Sequence, residues 1–187
     1  FRIIRRAAMD LIVAMDAVGG IGKAGGIPWV LRKDMARFVE KTTAVSDPSK
    51  RNAVLMGRKC WDSIPAKFRP LKGRLNVVVS RTLPESTSDD VIIRNDLDKA
   101  VAELQEQVDE GKLERIWNIG GSEIYSYALQ NNLVRSIELT RVDGDFEADV
   151  KLPSIEWENF RETFGSEAQD EQGIRFTFHT YERTVAN

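Results

Sequence analysis

The chain has 187 residues, 42% of them hydrophobic, with 27 basic and 29 acidic side chains and a formal charge of -2. That length suits one domain with a sizeable core, and charge spread so evenly excludes bulk binding of a polyanion. One cysteine, Cys60, excludes an intrachain disulfide, and one distant histidine, His179, leaves little for a zinc site, so no metal is expected. No apolar run approaches a membrane span, and a reducing, cytoplasmic setting is the default expectation.

Phe1 to Ala8 carries three arginines and no acid. We read it as a disordered end or an appended leader outside the fold, although its composition is also that of a mitochondrial transit peptide's tail. Residues 9–187 are expected to form the domain. Leu11-Ile12-Val13-Ala14-Met15 is a continuous apolar run, as a strand covered on both faces requires. The following stretch places five glycines between positions 19 and 26. Gly20, Gly22 and Gly25 match the G-x-G-x-x-G spacing, but several residues separate them from the strand and Pro28 ends the run, so a dinucleotide fingerprint is rejected. A loop with little conformational preference, able to act as a lid, is predicted instead.

Ile27 to Val39 predicts a helix starting near Val30, with Leu31, Met35, Phe38 and Val39 as a buried stripe and Asp34 at its edge. A carboxylate against an apolar wall has its pKa raised and suits proton transfer. An acid in a first helical turn is also simply favoured by the helix dipole. A polar linker over 42–52 follows.

Three short apolar strands then each end in a cation: Ala53–Met56 before Gly57-Arg58-Lys59, Leu75–Val79 before Ser80-Arg81, and Val91–Ile93 before Arg94. In a mainly parallel sheet these ends would converge on one anion, and with no acid beside them NADP is favoured over NAD. Between the first two, Ser63 to Arg74 is an irregular loop whose Ile64, Pro65 and Leu71 can form an apolar wall beside Arg74, a guanidinium suited to a carboxylate. Asn95 or Asp96 caps a structural helix with Leu97, Val101, Leu104 and Val108 on one face. Arg115–Ile119 runs into Gly120-Gly121, where Ser122 is expected to cap a helix holding Ile124 and Tyr125, an anion-ready arrangement. Ser136–Val142 and Ile174–Tyr181 alternate and read as antiparallel edge strands, with the acid-rich 143–149 segment as a turn rather than a calcium loop.

In this order the motifs resemble the dihydrofolate reductase family, from Met9 to about Glu182. The resemblance rests on Leu-Ile-Val-Ala at 11–14, Gly-Ile-Gly-Lys at 20–23, Ile-Pro-Trp at 27–29, Met-Gly-Arg-Lys at 56–59, Arg-Pro-Leu-Lys-Gly-Arg at 69–74, Ser-Arg at 80–81 and Ile-Gly-Gly-Ser-Glu-Ile-Tyr at 119–125. The form of 69–74 is similar to that of eukaryotic members. A monofunctional enzyme is expected, since a fused thymidylate synthase would need far more chain than follows Asn187.

The resemblance implies a single-domain α/β fold with a mixed, mainly parallel sheet and antiparallel C-terminal edge strands. It implies reduction of 7,8-dihydrofolate to tetrahydrofolate by NADPH, serving one-carbon metabolism. Asp34 would be the catalytic acid, with Trp29 beside it, Thr140 bonding its carboxylate and Tyr125 near the nicotinamide. Ile12, Val13, Ala14 and Ile27 would form the pterin pocket, and Phe38, Ser63, Ile64, Pro65, Leu71 and Ile119 the walls along the substrate. Arg74 would clamp the glutamate carboxylate.

On the cofactor side, Gly57, Arg58, Lys59, Cys60, Ser80, Arg81 and Arg94 would bind near the adenosine phosphate. Gly120, Gly121, Ser122, Glu123 and Ile124 would form the pyrophosphate turn, with a cis Gly120–Gly121 bond, and Ala14, Ile21, Gly22 and Ile119 would lie near the nicotinamide. Cys60 stands where the family has threonine, which weakens one donor. Ligands would be dihydrofolate and antifolate inhibitors; a monomer needing neither nucleic acid nor membrane is expected. The rival from another class is a non-catalytic NADPH or pterin module, and the nearest enzymatic rival is another NADPH reductase of the same fold.

Overall fold

The apolar runs predicted from sequence become the strands of one sheet in a computed structural model that describes residues 8–184. The leader reading falls on 1–8 and, apart from Ala8, lies outside the described residues. In chain order the elements are β1 (Met9–Met15), β2 (Gly20–Gly22), α1 (Arg32–Thr43), β3 (Arg51–Gly57), α2 (Arg58–Ser63), β4 (Leu75–Val79), β5 (Ser86–Thr87) and β6 (Val91–Arg94). They continue with α3 (Leu97–Asp109), β7 (Leu113–Gly120), α4 (Ser122–Gln130), β8 (Val134–Val142), β9 (Val150–Lys151), β10 (Phe160–Gly165), β11 (Gln169–Glu171) and β12 (Ile174–Arg183).

The strand order is β10-β12-β8-β1-β7-β3-β4-β6-β5, with β11 added on β12. From β8 to β6 every neighbour is parallel, whereas β12, β10 and β11 form an antiparallel margin. The chain is thus an α/β domain with a mixed, mainly parallel sheet. The reading of 136–142 as an antiparallel edge strand needs correction: β8 lies inside the sheet, parallel to β1 and antiparallel only to β12. Its alternation reflects two covered faces of different polarity rather than one face in water.

One face carries Leu11, Leu55, Val77, Ile116, Ile137 and Leu139 against Val101 and Leu104 of α3 and Ile124 and Ala128 of α4. Asp96 caps α3, accepting the Lys99 N–H at 3.0 Å. The opposite face holds two clusters. Val54, Met56, Val78 and Trp117 pack with Trp61, Ile64 and Leu71; Trp29 and Leu31 pack on Val142, Phe176 and Phe178.

Two further expectations change. The glycine-rich segment is fastened over its first half, because β2 pairs with β9 and the buried Asp16 carboxylate accepts N–H groups from Val18, Gly20 and Phe146. A side chain at Gly20 would fall 2.5 Å from Ala148 Cβ, so close packing rather than freedom explains that glycine. Ser122 is the first helical residue of α4, and Gly121 takes the cap position with no side-chain acceptor. The Arg69–Pro70 and Gly120–Gly121 peptide bonds are cis.

Candidate active site

Helix α1 turns Leu31, Asp34, Phe38 and Thr42 inward at helical spacing, while Met35 is 59% and Val39 49% exposed. Met35 and Val39 therefore do not belong to a buried stripe, and Asp34 occupies the middle of the inward face rather than its edge. Leu31, at the cap position, has no side-chain acceptor; Glu171 of β11 supplies one, taking the Arg32 N–H at 2.6 Å and the Lys33 N–H at 3.1 Å. The C-terminal hairpin thus holds the start of the helix that carries Asp34.

The hydroxyl of Thr140 on β8 donates to Asp34 Oδ1 at 2.6 Å. Burial raises the carboxyl's pKa above its ordinary value, against the opposing pull of the Thr140 bond and the Arg37 charge, and with a push from Glu171 in the same direction as burial. Trp29 is buried edge-on to Phe146, and its indole N–H has no acceptor among the described residues. The Tyr125 hydroxyl, from α4, donates to the Ile12 carbonyl of β1 at 2.8 Å. Burial, with Cys60 and Asp34 adding in the same sense, keeps that phenol protonated well above its ordinary pKa.

Ile12, Ala14 and Ile119 are half-buried, as are Phe38, Ile64 and Leu71. Val13 alternates to the other face and packs in the α3/α4 core, so its main chain alone borders Asp34's side of the sheet. Ile27, Ser63 and Pro65 are exposed, the Ser63 hydroxyl being tied to the Cys60 carbonyl. Arg74 is buried, at 4% exposure. It donates to the Lys72 carbonyl and to Thr42 Oγ1, both at 2.9 Å, and burial lowers its pKa. Among the described residues no carboxylate lies within ion-pair distance of it. Thr42 is eight residues beyond Asp34, so the acid and the docked guanidinium are separated by about 12 Å along one helix.

The strand ends also converge. Gly57 pairs with Val79, and Val79 with Arg94, so three C-terminal ends lie side by side. Arg58 bonds Thr82 Oγ1 and approaches Asp62 at 3.4 Å, and Arg81 meets Glu123 at 3.2 Å, all on the exposed surface. Arg94 is different: Glu103 engages it twice, at 2.8 and 2.9 Å, and Ser86, Thr87 and the Ile93 carbonyl take its remaining donors. Ser80 is buried and its hydroxyl accepts the Thr82 and Leu83 N–H groups, making it a turn cap.

Ile124 packs onto Gly57, where a Cβ would lie 3.3 Å from it, bringing the first turn of α4 over the end of β3. Beside it, a Cβ on Gly121 would meet nothing within 4 Å. The first-turn amides of α4 have no side-chain cap. Ile21 and Gly22 lie on β2, and Ser122 Oγ reaches the Lys151 carbonyl of β9 at 3.5 Å, joining that small sheet to the turn. Lys59 and Glu123 are exposed on the same side. The Cys60 thiol lies 3.6 Å from the Ile119 carbonyl, and burial pushes its pKa up to about 11, so it stays a neutral, weak donor.

Sequence reasoning missed Asn118, Thr42 and Glu138. Asn118, buried in β7, accepts the Gly120 N–H at 3.1 Å and donates to the Ile124 carbonyl at 3.0 Å, bracing the glycine turn. A polar residue inside a buried strand was the available signal.

A family model described as dihydrofolate reductase matches residues 8–183. The chain is 52% identical over 177 residues to a "Putative dihydrofolate reductase" of Caenorhabditis elegans, covering 91% of this chain and 94% of that one. It is 38% identical over 181 residues to the dihydrofolate reductase of Rattus norvegicus, covering 94% and 97%. A bifunctional dihydrofolate reductase-thymidylate synthase of Glycine max is 37% identical over 176 residues, 93% of this chain and 33% of that longer protein. With the model spanning nearly all the described residues and relatives matched end to end, the chain belongs to the dihydrofolate reductase family.

Proposed function

We propose that the chain reduces 7,8-dihydrofolate to tetrahydrofolate with NADPH. The observation that carries this reading is α1, which presents a half-buried carboxyl of raised pKa at its start and holds against its end a buried arginine with no carboxylate partner among the described residues. A ligand with a polar heterocycle at one end and a carboxylate at the other satisfies both.

Asp34 would bond the amino and amide edge of the pterin, and its reluctance to ionise would favour protonation at N5, relayed through water. Thr140 fixes the carboxyl's orientation. The indole N–H of Trp29, buried without an acceptor among the described residues, suits a water shared with Asp34. Ile12, Ala14, Ile119, Phe38, Ile64 and Leu71 offer the apolar walls, and the exposed Ile27 and Met35 extend them at the surface. Arg74 would take the substrate's carboxylate in a bidentate pair.

The residues present fit NADPH. The open face of Gly121 and the uncapped amides of α4 suit a pyrophosphate, and Arg58 and Arg81 suit the adenosine phosphate, because their exposed ion pairs are weak enough to be displaced. Arg94, held by Glu103, braces the wall rather than contacting the ligand. When bound, NADPH supplies the hydride to C6. No helix among the described residues is long and apolar enough to cross a membrane; a monomer in a reducing compartment, binding antifolates in the pterin site, completes the reading.

The test is NADPH consumption with and without dihydrofolate, in the wild type and in Asp34→Asn. Dihydrofolate-dependent consumption that falls by roughly 100- to 10,000-fold in the variant is expected. Undiminished turnover in Asp34→Asn would overturn the assigned acid, and NADPH binding without turnover would overturn the activity.

A further inference from the structure

Two rungs link α1 to the antiparallel margin of the sheet. In the first, Asp34 bonds Thr140 of β8, which pairs with Phe178 of β12. In the second, Arg37 Nη2 donates to Glu138 Oε2 at 3.0 Å, and Glu138 pairs with Thr180, whose hydroxyl donates to the same oxygen at 2.7 Å. Lys41 Nζ stands 3.6 Å from the other oxygen. Glu138 and Thr140 leave β8 on one face, and Asp34 and Arg37, three residues apart, share one face of the helix. The guanidinium lies over the Phe178 ring at 4.7 Å, which ties the rungs together.

Glu138 is 6% exposed. Burying a carboxylate and a guanidinium to pack a helix on a sheet is a poor route to stability, since an apolar pair of similar volume does it as well or better. What an apolar pair lacks is charge beside Asp34.

We propose that Arg37 and Glu138 are positioning residues for Asp34, the pair holding the helical turn that presents its carboxyl while the balance of the two charges sets how readily that carboxyl loses its proton. This rests on Asp34 being the acid of the proposed reaction. The groups facing Asp34 are few. Arg37 and, further along, Lys41 come from α1; Glu138 and Thr140 from β8; Glu171 from β11; and the neutral phenol of Tyr125 from α4. β1 and β12 add uncharged Ile12, Ala14, Phe178 and Thr180. Arg37 favours the ionised carboxyl and Glu171 opposes it; Glu138 acts through Arg37, whose charge it offsets from 3.0 Å. Removing either partner therefore moves Asp34 in opposite directions, which loss of a merely structural contact would not do.

The experiment is a carbon-13 NMR titration of protein labelled at the aspartate carboxyls, with the Asp34 signal assigned by its loss in Asp34→Asn. Glu138→Gln is expected to lower the Asp34 midpoint and Arg37→Met to raise it, each by about half to one pH unit, with Arg37→Lys close to wild type. The pH profile of dihydrofolate-dependent NADPH oxidation should move with them. Midpoints that shift in the same direction, or do not move, overturn the proposal. Should Glu138→Gln fail to fold, Arg37→Met against Arg37→Lys carries the comparison: unequal midpoints support it and equal midpoints overturn it. Midpoints that split while the turnover profile stays fixed support the pair's action on Asp34 and overturn the acid role assigned above.

Discussion

Thr140 Oγ1 meets Asp34 Oδ1 at 2.6 Å although the two residues are 106 positions apart in sequence. The bond links the parallel core strand β8 to α1 and opposes the rise in carboxyl pKa that burial imposes. Thr140→Val keeps the shape and removes the donor. The Asp34 pKa should rise further, moving the pH limit of turnover upward, and urea unfolding should show a loss of about 1.5–3 kcal/mol for a hydrogen bond to a charged group. A pH profile that moves down instead would show that Thr140 does not bond the ionised carboxyl.

Arg74 should separate stability from binding. It is buried with no acidic partner among the described residues, and burial lowers its pKa, so the fold bears a desolvated charge. Arg74→Met is expected to leave the urea midpoint unchanged or raised, while weakening dihydrofolate binding by roughly 2–5 kcal/mol and leaving NADPH affinity alone. Equal loss of both ligands in fluorescence titrations would remove Arg74 from the substrate site.

Adjacent glycines should fail differently. A Cβ at Gly120, where φ is +98°, would lie 2.8 Å from the Tyr125 ring, whereas one at Gly121 would enter open space. Gly120→Ala should unfold at clearly lower urea. Gly121→Ala should unfold like the wild type yet bind NADPH at least about tenfold more weakly, because the added methyl occupies the place a phosphate would approach. Normal NADPH affinity in Gly121→Ala would move the pyrophosphate elsewhere.

Stability at low pH should depend on Asp10, at the opposite end of β1 from Asp34. Its buried carboxylate takes bonds from Arg115 at 2.9 Å, Arg135 at 2.8 Å and Ser136 at 2.5 Å. Burial alone would raise its pKa; the two guanidinium groups outweigh it, and the pKa lies below the ordinary carboxylate value. A depressed folded pKa stabilises above the unfolded value near 3.9, and that contribution disappears as pH falls through the folded pKa. The urea midpoint of the wild type should therefore fall below about pH 4 more steeply than that of Asp10→Asn, which should already be about 3 kcal/mol less stable near pH 7. Parallel pH curves for the two proteins would contradict this.

Much of the frame was legible in the order of residues. Leu11–Met15 and Ala53–Met56 are apolar without interruption, and Leu75–Val79 is broken only by Asn76, because a parallel strand is covered on both faces, and each does lie inside the sheet. Apolar spacing placed Asp34 on a helix, and two prolines and a glycine placed Arg74 after an irregular loop, where both are found. The α1 periodicity was read one step wrongly: it set Met35 and Val39 inside, although they are exposed and Thr42 is buried. Apolar spacing marks a face that avoids water in some state of the protein, and a surface awaiting a ligand has the same spacing as one packed on a core.

By itself, then, the sequence determined the long central strands, the main helices and the family, and named the candidate site residues, because these depend on local pattern and on short motifs. Only the tertiary structure decided that Glu138 points inward to Arg37, that Glu171 caps the start of α1, that Asn118 braces the glycine turn, and that Glu103 engages Arg94. Each depends on which strand lies beside which and on what covers each face. Alternation along one strand states that two faces differ; it carries no information about the helix or strand that meets them.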